Sequence, residues 1–401
     1  MSAPPPSPSP FVLAALLSLA AAISLGITRF AYGLLLPIMR EDLGWSYTLA
    51  GAMNTANALG YLLGALSAAG LMRRSGAAQA LLIGAVGASL FMAMSGFVRA
   101  ADALLLQRLL AGVASAWVFI AGGLLVAQLA ARHPQRGGWL LGLYYGGTGW
   151  GIVVSALTVP AVVAWSGHWA GAWWALALIC GLATALLYRP LKQLHGGPVA
   201  AAPAAAEPAP VRLTAYLPML AGYGCFGVGY IGYMTFVVAL LREQGVGTAG
   251  WTGFYAALGL AVVASARIWA GLLDRYREGQ ALALLNALLG LATLIPALTA
   301  QPWALLLSGL LFGAVFLSVV ASTTAWVRHN LPPLQWAGGI TVFTVVFALG
   351  QIIGPTWVGA IADGTGGLAR GLVVSACVLW AGSALAWLQK PLPRAGPQSP
   401  A

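Results

Sequence analysis

The chain has 401 residues, of which 60% are hydrophobic and only 7% are charged. Soluble domains carry roughly 25% charged residues, so this composition excludes an ordinary soluble protein and indicates an integral membrane protein. The net charge of +11 does not indicate nucleic-acid binding, because the basic residues stand singly or in pairs between apolar runs and form no basic patch.

Twelve apolar segments are long enough to cross a bilayer, since a spanning helix needs about 20 predominantly apolar residues. We therefore predict an all-α membrane protein with twelve transmembrane helices. In chain order these helices cover residues 11–37, 46–71, 78–98, 102–130, 138–164, 171–188, 214–241, 249–273, 280–299, 303–327, 337–361 and 368–388.

One connector divides the helices six and six. Residues 189–212 are rich in proline and alanine with scattered charge, which is the composition of a flexible linker. We expect a six-helix bundle over residues 11–188 and a second over residues 213–390. Residues 1–10 and 391–401 are expected to be tails. The first is not interpreted as part of a signal peptide, because no basic residues precede the first apolar run, and we expect it to be disordered.

The distribution of Lys and Arg predicts the orientation, because cytoplasmic loops of membrane proteins are enriched in these residues. If the N-terminus is cytoplasmic, the outside receives four basic residues: Arg40, Arg99, Arg242 and Arg370. The cytoplasm receives twelve: Arg73, Arg74, Arg132, Arg136, Arg189, Lys192, Arg212, Arg275, Arg277, Arg328, Lys390 and Arg394. We expect a multi-pass protein of the plasma membrane, the bacterial inner membrane, with both tails and the linker in the cytoplasm.

A short pattern follows the second helix of each predicted half. It reads GLMRRSG at residues 70–76 and GLLDRYR at residues 271–277. Each half is therefore interpreted as a copy of one six-helix unit. Two parallel repeats joined by a linker are typical of secondary transporters, whose halves rock around a central site.

Several motifs resemble those of the major facilitator superfamily of secondary transporters. The loop signature Gly-x-x-x-Asp-Arg-x-Gly-Arg-Arg is degenerate in the first half, where Arg73 stands at the Asp position, and clearer in the second. RLLAG on the fourth helix matches Arg-x-x-x-Gly, and GLYYGGTGWG matches the glycine-rich signature of the fifth, with a related GQIIGPTWVG on the eleventh. The residues that we assign to conformational motifs are Arg73, Arg74, Gly76, Gly146, Gly149, Asp274, Arg275, Gly354 and Pro355.

The first helix, ITRFAYGLLLPIMREDLGWS, resembles the YbfB/YjiJ-like branch of that superfamily, whose members carry an Arg-Phe-x-Tyr-x-x-Leu-Leu-Pro run. The resemblance extends from Phe11 to about Leu388. It implies two six-helix bundles that work by alternating access, and it does not identify the cargo, because the substrate of much of that branch is poorly defined.

Three arginines lie inside predicted helices: Arg29, Arg108 and Arg267. Each costs at least about 2.5 to 3.5 kcal/mol at a helix centre, so each should face a cavity or a partner. Arg29 lies eight residues from Pro37, about 12 Å along the helix, and is our favoured substrate contact. Arg108 can bind substrate or bridge to a neighbouring helix, and Arg267 can snorkel to the inner end or pair with Asp274.

The predicted cavity is net positive, because none of the eight acidic residues lies in the middle of a predicted helix. A guanidinium group binds a carboxylate with two parallel hydrogen bonds. Polar and aromatic residues that share helix faces can either line the cavity or bridge helices. Together with Arg29 and Arg108, the predicted substrate-binding residues are Tyr32, Asn54, Asn57, Tyr144, Tyr145, Tyr223, Tyr230 and Gln351.

These observations favour a monomeric secondary or facilitative transporter of a small organic anion. A broad-specificity exporter of drugs or metabolites is the alternative, and it would carry lipophilic cations. A membrane sensor or enzyme would need a soluble domain or a catalytic constellation, so we expect no enzyme activity.

Partners and coupling follow from the same residues. We expect a small-molecule substrate and the lipid bilayer as partners, no nucleic acid, no cofactor and no metal, because the four histidines are too scattered for a metal site. No ATP-binding loop is present in the sequence. Coupling to protons through the substrate itself, coupling through a boundary carboxylate such as Asp42 or Asp102, and absence of coupling all remain open.

Overall fold

The computed structural model describes residues 9–193, 213–332 and 335–392. The predicted linker lies mostly outside this part of the chain, and so do almost all residues of the two predicted tails. Within these described residues, twelve helices, α1 to α12, are long and apolar enough to cross a membrane. They are α1 Pro10–Leu43, α2 Tyr47–Ser75, α3 Ala77–Ser95, α4 Ala101–Arg132, α5 Gly137–Ser166, α6 Trp169–Gln193, α7 Leu217–Glu243, α8 Thr248–Ile268, α9 Gln280–Leu298, α10 Pro302–Asn330, α11 Trp336–Ala362 and α12 Gly367–Trp387.

The predicted and observed helices differ mainly at their ends. α1 continues through Pro37 to Leu43, and Gly44, which follows it, adopts the left-handed conformation with φ of 66°. Arg29 therefore lies fourteen residues from the end of α1, about 21 Å, rather than about 12 Å as predicted. α8 ends at Ile268, and a separate short helix, Ala270–Arg275, follows it. The longer α1 places Arg29 in the central part of this helix, away from both ends.

The fold consists of two six-helix halves, α1–α6 and α7–α12, with the same packing pattern in each. In the first half, α4 packs against α2 and α3, α3 against α6, and α1 against α5. In the second half, α10 packs against α8 and α9, α9 against α12, and α7 against α11. Each of these pairs is the counterpart of another pair six helices away, which confirms the predicted pseudo-symmetric pair of bundles.

The most extensive contacts between the two halves are made by three helix pairs: α2 with α11, α5 with α8, and α1 with α7. Odd-numbered helices end, and even-numbered helices begin, at one end of the bundle. We call this the Asp42 end and the opposite end the Arg74 end. At the Arg74 end, the guanidinium of Arg267 lies 3.6 Å from the centre of the Trp139 ring in the other half.

Glycine allows the backbones of α5 and α8 to approach closely. A Cβ atom at Gly149 would lie 2.8 Å from Val263 Cγ2 and 2.9 Å from Val263 N, and it would also clash with the carbonyl oxygen of Gly259. Small residues at helix contacts permit such close packing in membranes. Gly142 lies about two turns earlier on α5, and a Cβ atom there would have no neighbouring atom within 4 Å.

Substituting Gly149→Ala should therefore destabilise the contact between the halves. Overpacking of this kind costs about 1–3 kcal/mol, and we expect a lower thermal midpoint of the purified protein in detergent. Gly142→Ala is the matched control and should keep or raise the midpoint, because alanine is favoured over glycine in a helix by about 1 kcal/mol. Equal midpoints for the two variants would contradict the close α5–α8 contact.

Candidate functional site

The middle of α1 contains a wide turn. Residues Ala22–Arg29 form a π-helical segment, in which Phe30 N donates to Leu25 O at 3.1 Å. Thr28 Oγ1 donates to Ile23 O at 2.7 Å. Ser24 at the start of the turn donates to Ser115 O on α4 at 2.8 Å, which ties the widened backbone to its neighbour. Such turns inside helices frequently occur at functional sites, and this one ends at Arg29.

Arg29 is buried in the middle of the bundle, with 3% of its surface exposed. Its Nη2 donates to Gln351 Oε1 on α11, so the contact joins the two halves. The same oxygen accepts a hydrogen bond of 2.8 Å from the Tyr230 hydroxyl on α7. The Tyr61 ring centre on α2 lies 5.5 Å from the guanidinium carbon. Arg29 Nε has no hydrogen-bond partner among the described residues.

Arg108 is equally buried but is held by the protein itself. Its Nη1 donates to Thr28 O at 2.8 Å, and its Nη2 donates to Asn54 Oδ1 at 3.4 Å. The rings of Tyr32 and Trp173 lie 4.9 and 5.6 Å from its guanidinium carbon. Arg108 therefore links α1, α2 and α4 within the first half, which is the bridging contact to neighbouring helices that the sequence allows as one of its two roles.

The layer around Arg29 carries positive charge and no described carboxylate. The ion pairs among the described residues join Asp42 to Arg99 and His168, and Glu41 to Arg242, and all of them lie at the Asp42 end. Asp102 begins α4 and Glu243 ends α7, so these acidic groups also lie at helix ends. Among the described residues, the charge of Arg29 is thus met by an amide, a phenol and an aromatic ring, none of which carries a full negative charge.

Aromatic rings of the second half extend from Arg29 towards the Arg74 end. The Tyr230 and Phe226 ring centres lie 4.7 Å apart, and those of Phe226 and Tyr223 lie 5.5 Å apart. Phe347 on α11 stacks on all three, with interplanar angles of 8° to 23°. Phe316 on α10 stacks on Tyr230 at 6.1 Å. We call these five residues the aromatic stack.

The structure brings some predicted substrate-binding residues to Arg29 and places others elsewhere. Gln351 and Tyr230 contact the site directly, and Tyr223 belongs to the aromatic stack. Tyr144 is buried and donates to Phe119 O at 2.7 Å, whereas its neighbour Tyr145 is 40% exposed. The remaining predicted residues take part in contacts between helices: Tyr32 donates to Ala50 O at 2.8 Å, Asn54 to Thr235 Oγ1 at 2.7 Å, and Asn57 to Arg108 O at 3.0 Å.

The predicted motif residues lie away from Arg29. Arg73 and Arg74 end α2, Gly76 connects it to α3 with φ of 81°, and Asp274 and Arg275 lie in the short helix after α8, all at the Arg74 end. The remaining motif residues, Gly146, Gly149, Gly354 and Pro355, lie at contacts between helices.

Phe316 and Phe347 are missing from the predicted set, whereas Tyr61 shares a predicted polar face of α2 with Asn54, which it follows by seven residues. Phe347 precedes Gln351 by one turn on α11, so helical spacing contains a signal for it as well. Phe316 lies in an apolar run of α10 whose pattern does not distinguish it from packing residues.

A carboxylate of the second half closes the bundle at the Asp42 end. Asp363, at the end of α11, accepts hydrogen bonds from Tyr47 N at 2.7 Å, Thr48 N at 2.8 Å and Thr48 Oγ1 at 2.6 Å. These amides are at the start of α2, where a helix has no partners of its own for its first N–H groups. Asp363 thus caps a helix of the other half.

Two further contacts join the halves near Asp363. The Tyr47 hydroxyl donates to Glu243 Oε1, and Arg242 Nη2 donates to Glu41 Oε2 at 3.1 Å. Partial burial raises the pKa of Asp363, but the hydrogen bonds from Thr48 and Tyr47 and the nearby Arg40 outweigh it and hold that pKa below its usual value. The carboxylate therefore remains ionised at neutral pH, and its capping contribution is lost only as the pH falls through this lowered pKa.

Comparison with known proteins shows a family and a fold. Residues 21–387 match the family described as "Uncharacterised MFS-type transporter YbfB". No curated protein matches the chain in sequence. The crystal structure of the nucleoside transporter NupG matches with a TM-score of 0.70 and 13% identity, over 94% of this chain and 99% of that chain. An inward-facing, unoccupied structure of a bacterial homologue of the human lysosomal transporter Spinster matches with a TM-score of 0.71 and 15% identity, over 96% and 97% of the two chains.

Removing the cap on α2 should open the Asp42 end. The variant Asp363→Ala loses a helix-capping interaction of about 1 kcal/mol, which corresponds to an approximately fivefold shift in the equilibrium between closed and open forms. Spin labels at Ala100 and Ala300, two exposed loop positions of different halves at this end, should report a larger population at long distance.

Asp102→Asn is the matched control for this experiment. The Asp102 carboxylate accepts a hydrogen bond from Ala103 N at 2.8 Å, within its own helix. Its substitution should leave the distance distribution between the two labels unchanged. An unchanged distribution in Asp363→Ala as well would show that the cap does not hold the halves together.

Proposed function

The chain belongs to the family of the MFS-type transporter YbfB, and we propose that it moves a small organic anion across the membrane by alternating access. A transmembrane transporter with two pseudo-symmetric halves binds its substrate at the interface between them, near the middle of the membrane. Arg29 lies at such a position, on α1 and in contact with Gln351 of the other half. This buried guanidinium without a carboxylate is the observation that carries the proposal.

The energetics of Arg29 favour an anionic ligand. Arginine at the centre of a membrane helix costs about 2.5–3.5 kcal/mol on insertion scales, and intramembrane charges are usually paired. Arg108, also buried and positive, raises the local potential further. A bound carboxylate would form charge-assisted hydrogen bonds with Arg29 and would offset this cost.

We infer the orientation from the loop charges. The positive-inside rule places the Arg74 end in the cytoplasm and the Asp42 end outside, in the inner membrane of a bacterium. The contacts of Asp363 then close the outer side, and the described state corresponds to an inward-facing or occluded step of the transport cycle. We expect the anion to enter from the cytoplasmic side when the Arg74 end is open; exchange with the outside then requires that end to close and the Asp42 end to open.

Two other substrate classes serve as alternatives. A broad-specificity exporter would accept lipophilic cations, which the positive charge of Arg29 disfavours. The likeness to a nucleoside transporter suggests neutral ring-containing ligands, but at 13% identity it supports the fold alone. Neither alternative supplies a partner for the uncompensated charge.

The substitution Arg29→Gln should abolish stabilisation by organic anions. A ligand at about 100 times its dissociation constant adds roughly 2.7 kcal/mol to the free energy of unfolding, which a thermal-stability panel in detergent detects. The panel contains small carboxylates, aromatic acids, a nucleoside and lipophilic cations. Without ligand, Arg29→Gln should be as stable as the parent or more so, because it removes an uncompensated buried charge.

Two variants make this result specific. Arg29→Lys keeps the charge but loses the planar guanidinium, so it should retain part of the anion response. Arg370→Gln, which removes an exposed arginine whose guanidinium donates to Thr365 five residues earlier, should leave the response intact. Retention of the full anion response in Arg29→Gln would overturn the anion site, and stabilisation by cations alone would favour the exporter.

A further inference from the structure

Gln351 Oε1 is bound as a substrate carboxylate oxygen would be. It accepts from the Arg29 guanidinium and, at 2.8 Å, from the Tyr230 hydroxyl. A guanidinium and a phenol are donors well suited to a carboxylate, and both bind an anion more strongly than a neutral amide. The amide of Gln351 therefore accepts the hydrogen bonds of both donors but does not neutralise the charge of Arg29.

The two buried arginines differ in which half of the protein surrounds them. Arg108 makes its two hydrogen bonds to Thr28 and Asn54 within the first half, and the rings of Tyr32 and Trp173 lie against it. Nε of Arg29 and Nε of Arg108 both lack a partner among the described residues, but Nη2 of Arg29 contacts Gln351 of the other half. A second carboxylate on the ligand would have to displace these contacts of Arg108 or be buried unpaired, which is strongly unfavourable.

The surface next to Arg29 is aromatic rather than aliphatic. Tyr230, which binds Gln351, is also the member of the aromatic stack nearest to Arg29, and its ring is nearly parallel to that of Phe316, with an interplanar angle of 8°. Stacked and offset rings attract one another beyond the burial of their area. A planar ring attached to a carboxylate can join this stack while the carboxylate is bound to Arg29.

We propose that the substrate is an aromatic monocarboxylate, whose carboxylate takes the place of the Gln351 amide on Arg29 and Tyr230. This inference rests on the proposed function and specifies its substrate class and the residue that competes with it. Because Gln351 belongs to the second half and Arg29 to the first, binding exchanges a contact between the halves for contacts with the ligand. The competition therefore makes Gln351 a determinant of both affinity and the position of the halves.

The substitution Gln351→Glu tests the competition directly. It places a carboxylate of the protein on Arg29, at the position proposed for the substrate, and should weaken binding of benzoate and phenylacetate at least about tenfold, which corresponds to about 1.4 kcal/mol. Gln351→Ala removes the competitor and should bind these acids as well as the parent or more tightly. Affinities come from the ligand dependence of the thermal midpoint and from isothermal titration.

A second pair of variants does not depend on position 351. Tyr230→Phe keeps the ring in the stack but removes its hydroxyl donor, and should weaken benzoate binding several-fold. Tyr233→Phe is the matched control, because Tyr233 lies one turn further along α7 and its hydroxyl pairs with Ser308 at 2.7 Å, so this variant should leave affinity unchanged. The same protein should discriminate benzoate from acetate, from terephthalate and from neutral benzamide.

The outcomes separate this inference from the proposed function. If Arg29→Gln abolishes the binding of acids but Gln351→Glu does not weaken it, the anion site stands and the replacement of Gln351 is wrong. If terephthalate or acetate binds as tightly as benzoate, the aromatic monocarboxylate class is wrong. If Arg29→Gln also retains full binding, the proposed function itself fails.

Discussion

The buried positive charge of Arg29 is the constraint on which the site depends. It lies near the middle of a membrane helix, where each charge costs several kcal/mol unless it is paired. The Tyr61 ring at 5.5 Å contributes a cation–π interaction, and Gln351 contributes one hydrogen bond, but neither carries a full negative charge. These neutral contacts stabilise the guanidinium only in part and leave its positive charge without a counter-ion among the described residues, which an anionic ligand would supply.

Two arginines on neighbouring helices illustrate how partners decide a role. Arg108 and Arg29 are both almost fully buried, and they differ in what surrounds them. The wide turn of α1 supports this difference, because Thr28 O accepts from Arg108 while the next residue, Arg29, contacts the second half. Arg108 fixes the packing of the first half, and Arg29 connects this half to α11 of the second half.

The sequence predicts the twelve helices and their division well, because hydropathy and length control membrane insertion. It also singles out Arg29, Tyr230 and Gln351, which the structure joins by hydrogen bonds, since polar groups stand out in apolar helices. It cannot predict that Gln351, 322 residues away, meets Arg29, because this depends on how two bundles dock. The wide turn of α1 likewise depends on contacts with α4 and α5, and it escapes prediction by helical periodicity.

The control of the Asp42 end follows from the chemistry of its contacts. Asp363 accepts three hydrogen bonds from the start of α2, and its lowered pKa keeps it ionised throughout the physiological pH range. Protonation of this carboxylate therefore does not release the halves at neutral pH. In the interior of the bundle, hydrogen bonds from Arg29 to Gln351 and from Asn54 to Thr235 also join the halves. If Arg29 binds the proposed anion, exchange of its contact with Gln351, rather than titration of the outer contacts, changes the balance between the closed and open forms.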